Sequence, residues 1–174
     1  MTPMDSTTAN PLSAHLLRAQ PGDWLSFTLG EEIHAVPVPQ VYGVLALPSV
    51  TPVPNLPPFL RGVLHHEGAI MPVMDLAQRL GMPATVVGAE TCVILVRVPH
   101  AGRTLAMAVI VAEVRDVLVF ERAQLLPPPE FGLRLDTRFL LGMVRGDDAG
   151  LTLLLDLECV LDEDELSAAA AAIT

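Results

Sequence analysis

Sixteen prolines, scattered from Pro3 to Pro129, constrain this chain more than any other feature of its 174 residues. An interior proline costs a helix about 3 kcal/mol, because it removes a backbone donor and clashes with the preceding turn. Helices of ordinary length do not survive that spacing. Between the prolines lie short apolar runs: WLSFTL from Trp24, IHAVPV from Ile33, VYGVLAL from Val41, FLRGVL from Phe59 and IMPVM from Ile70. They continue with CVILVRV from Cys92, TLAMAVIV from Thr104, VRDVLVF from Val114, FLLGMV from Phe139 and LTLLLDL from Leu151. The runs are short, often β-branched, and set off by Pro, Gly, Asn or Asp, as in a β sandwich or barrel. A mainly β protein is expected. Its core must be aliphatic, since 51% of residues are hydrophobic and only 4% aromatic.

Three short helices fit around the strands. Leu76 to Leu80 is expected to be helical, with Asp75 as cap, Gln78 in a capping-box position and Gly81 at the end. A helical turn is expected after Asp156, in DLECVL, with Asp156 as its cap. A third helix is expected over 163–172, where Glu163, Asp164 and Glu165 suit the positive end of the helix dipole. The opening residues, 1–21, read as a loose tail with a short helical piece at 14–19. The division is therefore a tail over 1–21, one domain over 22–162 and an acidic, Ala-rich helix over 163–174.

The domain repeats itself. FLRGVLHHEGAIMPVMDL at 59–76 matches FLLGMVRGDDAGLTLLLDL at 139–157: FL-x-G, a strand, a Gly-containing turn, a second strand and Asp-Leu. Gly62 and Asp75 are 13 apart, and Gly142 and Asp156 are 14 apart. VYGV at 41–44 echoes VAEV at 111–114, and a proline cluster precedes each FL-x-G. Two similar halves of about 70–80 residues point to a duplicated small barrel.

Charge removes several functions from consideration. The net charge is −10, and all ten basic residues are Arg. Residues 1–145 hold 12 acids against those ten, whereas 146–174 hold 8 acids and no base. Phosphate backbones and anionic lipid surfaces need clustered cations, so neither nucleic acid nor membrane is an expected partner. Leu105 to Ala112 is the longest apolar stretch, far short of the roughly 20 residues of a membrane helix. The N-terminus lacks the basic start and apolar run of a secretion signal. Cys92 and Cys159 are therefore expected as free thiols in the cytoplasm.

Catalytic chemistry has no foothold. His65, His66 and Glu67 form the most enzyme-like patch, and a small metal or ligand module built on them is one conceivable reading. Neighbouring strand residues point to opposite faces, however, so His65 and His66 do not share a metal there. The repeat places the patch at a polar hairpin turn. No GxSxG, GxxxxGK[ST] or strand-following GxGxxG is present, and neither a metal nor another cofactor is expected.

Certain pieces resemble a known family. SFTLGEEIHAVPVPQV, from Ser26, resembles the opening of CheW-like domains, with an F-x-L-G strand, an acidic turn and an A-V-P-V strand. SVTPVPNLPPFLRGVLHHEGAIMPVMDLAQRLG at 49–81 resembles the family's most specific block: P-V-P-N, F-x-R-G-V, then G-x-x-x-P-V-x-D-L. TCVILVRV, VAEVRDVL, PPPEFG, FLLGMV and LTLLLDLECVL continue the likeness, which spans about residues 22–162.

The resemblance implies two intertwined five-stranded SH3-like barrels around a shared core, with short helices and a C-terminal helix. It implies a non-enzymatic adaptor that couples the cytoplasmic tips of chemoreceptors to the regulatory domain of a CheA-type histidine kinase. Other CheW-like domains are further partners it implies, with or without receptor contact. The receptor tip is a helical hairpin, for which an apolar groove between the barrels is the implied dock. Val41, Val44, Cys92, Ala108 and Val114 stand on or near that groove by position. Three positions depart from the family. Gly43 replaces a usual Glu, Glu67 a usual Arg, and Ala112 a common Asp. Changed charge at a rim alters partner choice.

Overall fold

All ten apolar runs are strands in the computed structural model, which describes residues 21–100, 102–127, 137–146 and 150–160. The first half contributes β1 (Gly22–Leu29), β2 (Glu32–Pro37), β3 (Val41–Ala46), β4 (Leu60–His66) and β5 (Ala69–Asp75), followed by the short helix α1 (Leu76–Arg79). The second contributes β6 (Cys92–His100), β7 (Arg103–Val111), β8 (Glu113–Phe120), β9 (Leu125–Leu126), β10 (Leu140–Arg145) and β11 (Leu151–Leu155), then α2 (Leu157–Val160). The two-residue β9 was too short to register in the sequence pattern. The tail and the helical pieces at 14–19 and 163–172 lie outside the described residues.

Two sheets form, in the orders β8-β1-β2-β11-β10-β9 and β3-β6-β7-β5-β4. Both have SH3-like strand arrangements, although they are open curled sheets and β9 makes the first six-stranded. Their composition gives the exact sense in which the halves intertwine. The β1–β2 hairpin joins strands from the second half, and the β6–β7 hairpin joins strands from the first. Each sheet has two seams between the halves, one antiparallel (β1 with β8, β3 with β6) and one parallel (β2 with β11, β5 with β7). Parallel neighbours need long crossovers, so they are natural meeting places for distant pieces of chain.

The repeat survives in atomic detail. Both FL-x-G elements carry a register shift, between Leu60 and Gly62 and between Leu140 and Gly142. The Asp75 N–H donates to the Phe59 carbonyl at 2.7 Å, as Asp156 does to Phe139 at 2.8 Å. Thr51 pairs with Val63, and Leu126 with Met143 in the other sheet.

Side chains from the two sheets share one central core. Phe27, Leu29, Met74, Ile94, Met107, Val109, Leu140 and Leu155 all belong to it. Each sheet also buries its other face. Trp24, Phe120 and Leu154 cluster on the six-stranded sheet, and Leu64, Val93, Leu95 and Ala108 on the five-stranded one. Burial on both faces explains why CVILV and TLAMAVIV are continuous apolar runs and do not alternate with polar residues. Arg79 joins the halves. Its guanidinium is 5.1 Å from the Phe59 ring centre and 4.8 Å from that of Phe139, the repeat-equivalent pair. Its Nε donates to the Val160 carbonyl of α2 at 2.8 Å.

The two helix-cap expectations divide. Asp156 does cap α2, accepting from the backbone of Glu158 at 3.1 Å and more weakly from that of Cys159. Asp75 makes no side-chain cap to α1. Fully buried, it accepts instead from Arg61 Nη2 at 2.9 Å and from the Thr85 N–H and Oγ1 at 2.9 and 2.8 Å. A charged acceptor that must be buried is better satisfied by three donors than by one marginal cap.

Candidate interaction surface

Edge strand β3 and the β4–β5 hairpin stand at opposite edges of the five-stranded sheet, and the Tyr42–Met71 contact brings β3 across to β5. A single residue row crosses that sheet, running Gly43, Leu95, Ala108, Val73 and Gly62. Gly43 and Ala108 are thus two strands apart on one line. Gly43 lies at a register shift in β3, and a Cβ there would stand 3.0 Å from Leu95 Cδ1, the mobile end of a side chain. Its neighbour Val44 is 46% exposed, while Val41 is half-buried against the central core.

The Tyr42 hydroxyl lies 3.5 Å from Met71 Sδ, and the Arg97 guanidinium lies 3.9 Å from its ring centre. Burial pushes the Tyr42 phenol up, Arg97 pulls it down by charge and hydrogen bond, and Glu67 adds a push upward. Glu67 therefore acts on the same small region as β3. Tyr42 and Arg97 were not among the expected surface residues. The one signal available was Arg97 as the lone charge inside CVILVRV.

Glu67 and Gly68 form a two-residue turn with φ of +49° and +80°. Both residues with positive φ match a hairpin turn whose twist suits the flanking strands. The Glu67 side chain is 85% exposed, with its Oε1 3.8 Å from His66 Nε2. The local conformation disfavours any residue with a Cβ by roughly 1–2 kcal/mol. Glu67→Gly should therefore raise stability by about 1 kcal/mol in urea unfolding. Glu67→Arg, equally strained, should leave it unchanged, which makes the charge reversal a clean probe of binding.

The remaining expected residues lie where the chain crosses from one sheet to the other. Cys92 is only 8% exposed and sits in the central core. Burial raises its thiol pKa, the Val114 backbone opposes this, and Glu90 and Glu113 add to the rise. Cys92 and Val114 are thus neighbours, and the Cys92 thiolate is disfavoured. Ala108 is fully buried and offers no side-chain surface of its own. Ala112 forms the β7–β8 crossing, with its N–H donating to Thr28 at 3.1 Å. It lines a cleft of about 630 Å³ with Glu31, Glu32, Met82 and Val86. Val41, Gly43, Val44 and Glu67 therefore form one group, and Cys92, Ala112 and Val114 another.

Among the described residues, no three His, Cys, Asp or Glu side chains come together as a metal site, and no helix is long and apolar enough to cross a membrane.

Known proteins share this architecture. The model of the CheW-like domain matches residues 23–165. A chemotaxis protein CheW from Klebsiella aerogenes is 30% identical, over 83% of this chain and 84% of its own length. Protein FrzA from Myxococcus xanthus is 31% identical over 76% of this chain and 81% of its own. The crystal structure of the scaffolding protein TtCheW from Thermoanaerobacter tengcongensis superposes with a TM-score of 0.73 at 26% identity, covering 85% of this chain and 92% of that one. With its exchanged hairpins and the matching span, the chain belongs to the CheW-like domain family.

Proposed function

We propose that this protein is a non-enzymatic cytoplasmic adaptor that couples a chemoreceptor tip to the regulatory domain of a CheA-type histidine kinase, with partner choice shifted by Gly43 and Glu67. Membership in a family of chemotaxis adaptors and scaffolds supplies the general role. The observation that carries the specific reading is the exposed Glu67 carboxylate, held on the tight β4–β5 turn. A charge at the rim of an interface governs encounter and partner discrimination more than total affinity. Gly43 has room for a larger side chain if the end of Leu95 moves, so both departures can be reversed without rebuilding the fold.

The test is calorimetric binding of the purified protein to a receptor-tip hairpin and to a kinase regulatory domain. The wild type should bind its cognate kinase domain in the micromolar range. Gly43→Glu with Glu67→Arg should improve binding to a receptor tip of the ordinary kind by at least tenfold. Binding to kinase alone would favour a scaffold assembled with kinase or other CheW-like domains, without direct receptor contact. If neither partner binds at tens of micromolar, the reading is wrong.

A further inference from the structure

The described chain starts in the wall of a cleft. Pro21 and Asp23 line a cavity of about 460 Å³ with Pro39 and Gln40, from the crossing between β2 and β3, and Glu158 of α2. Its floor is apolar, with Trp24, Leu141 and Leu157 almost fully buried there. Every charged residue in its lining is an acid. Asp23 and Glu158 are exposed, whereas Asp156 is buried and caps α2.

Twenty residues precede this cleft, and their chemistry complements it. Residues 12–20 read LSAHLLRAQ, with Leu12, Leu16 and Leu17 as large apolar side chains and Arg18 as the one charge. The whole tail over 1–20 holds a single acid, Asp5. An apolar floor beneath acidic edges therefore stands next to an apolar segment that ends in a cation. Covalent reach favours the chain's own segment over any other occupant. A chain extends at most about 3.5 Å per residue, so Arg18 stays within roughly 10 Å of Pro21, and Leu16 within roughly 18 Å. A tether this short gives an effective concentration in the millimolar range. Contacts too weak to join two separate molecules hold under that condition, whereas a second copy or a foreign helix is present only at its bulk concentration.

We propose that residues 12–20 fold back over this cleft, with Leu16 and Leu17 on its apolar floor and Arg18 between Asp23 and Glu158. The tail is then an intramolecular strap across the start of β1, the β2–β3 crossing and α2, and any other ligand of the cleft must displace it. The inference does not depend on the adaptor reading.

Limited trypsin digestion of the full chain, followed by mass as release of residues 1–18, tests it. Arg18 is the first basic residue in the sequence, and the next is Arg61. Each rate is divided by that of a free peptide spanning the same cut, which removes changes in the protease's own preference. Leu16→Ser with Leu17→Ser should speed the cut at least tenfold, while cutting at exposed Arg103 stays unchanged. Acrylamide quenching of Trp24, the only tryptophan, should rise about twofold in the same variant. Asp23→Asn with Glu158→Gln should speed the cut three- to tenfold, because Arg18 loses both counter-charges. Circular dichroism checks that each variant keeps its fold. A leucine variant cut within twofold of wild type would overturn the docking, and an acid variant within twofold would overturn the place given to Arg18. Protection that fades on dilution would mean that a second copy's tail fills the cleft, and would overturn the intramolecular strap.

Discussion

Replacing Gly62 by alanine should lower the unfolding free energy by about 3–5 kcal/mol, a large part of what a domain of this size possesses. Gly62 has φ of +139°, a region that only glycine occupies without strain. A Cβ there would overlap the Thr51 carbonyl oxygen and stand 2.8 Å from the Thr51 carbonyl carbon and 3.0 Å from Pro52 Cα. These are backbone atoms and do not swing aside. They are also held by the Thr51–Val63 pair, whose two hydrogen bonds measure 2.8 and 2.9 Å. Relieving the overlap means breaking that bridge at the edge of β4. Urea unfolding followed by Trp24, the only tryptophan and 2% exposed, reports the loss. Gly68→Ala is the control. Its φ is +80° and no atom lies within 4 Å of the added carbon, so only about 1 kcal/mol of backbone strain is expected. A Gly62→Ala protein within 1 kcal/mol of wild type would contradict this geometry.

Arg79→Ala should be comparably harmful, at about 3–5 kcal/mol. Two desolvated cation–π contacts, each worth up to about 2 kcal/mol, disappear together. The Val160 carbonyl also loses a buried donor, which costs about 1–3 kcal/mol. The effects overlap, so they do not add in full. Arg79→Lys keeps the charge but cannot lie flat between the Phe59 and Phe139 rings, and about half the loss is expected. Because Arg79 joins the two repeat-equivalent elements, its removal should also reduce the cooperativity of unfolding between the sheets. The check is the urea midpoint and slope, measured by tryptophan fluorescence and by circular dichroism. A loss below 1 kcal/mol, with unchanged slope, would show that the clamp is incidental.

The candidate surface is partly legible in the sequence. The repeat aligns Glu67 with Gly146-Asp147-Asp148 and so predicts a polar hairpin turn, and the turn is there. Asp75 is not the cap that its spacing predicts, because Thr85 and Arg61 approach it through the fold. Neither is a helix neighbour in sequence. Cys92 and Ala108 stand in apolar runs that are strands, but those runs do not show how deeply the two residues are buried. Both faces of their sheet are covered, so the usual alternation that separates inside from outside is missing. Arg97 and Tyr42 belong to different halves, and their contact has no signature in either run.

Local chemistry alone determined which segments are strands, where they stop, and that two halves resemble each other. Prolines, turn residues and apolar runs act over a few residues, and that is the range a sequence pattern records. Tertiary structure alone decided that each half lends its strands to the other's hairpin, that Arg79 lies between Phe59 and Phe139, and that Tyr42 of β3 meets Arg97 and Met71. Strand pairing and burial are settled by contacts between residues far apart in the chain. The energy that chooses among partners is therefore absent from any single stretch of it.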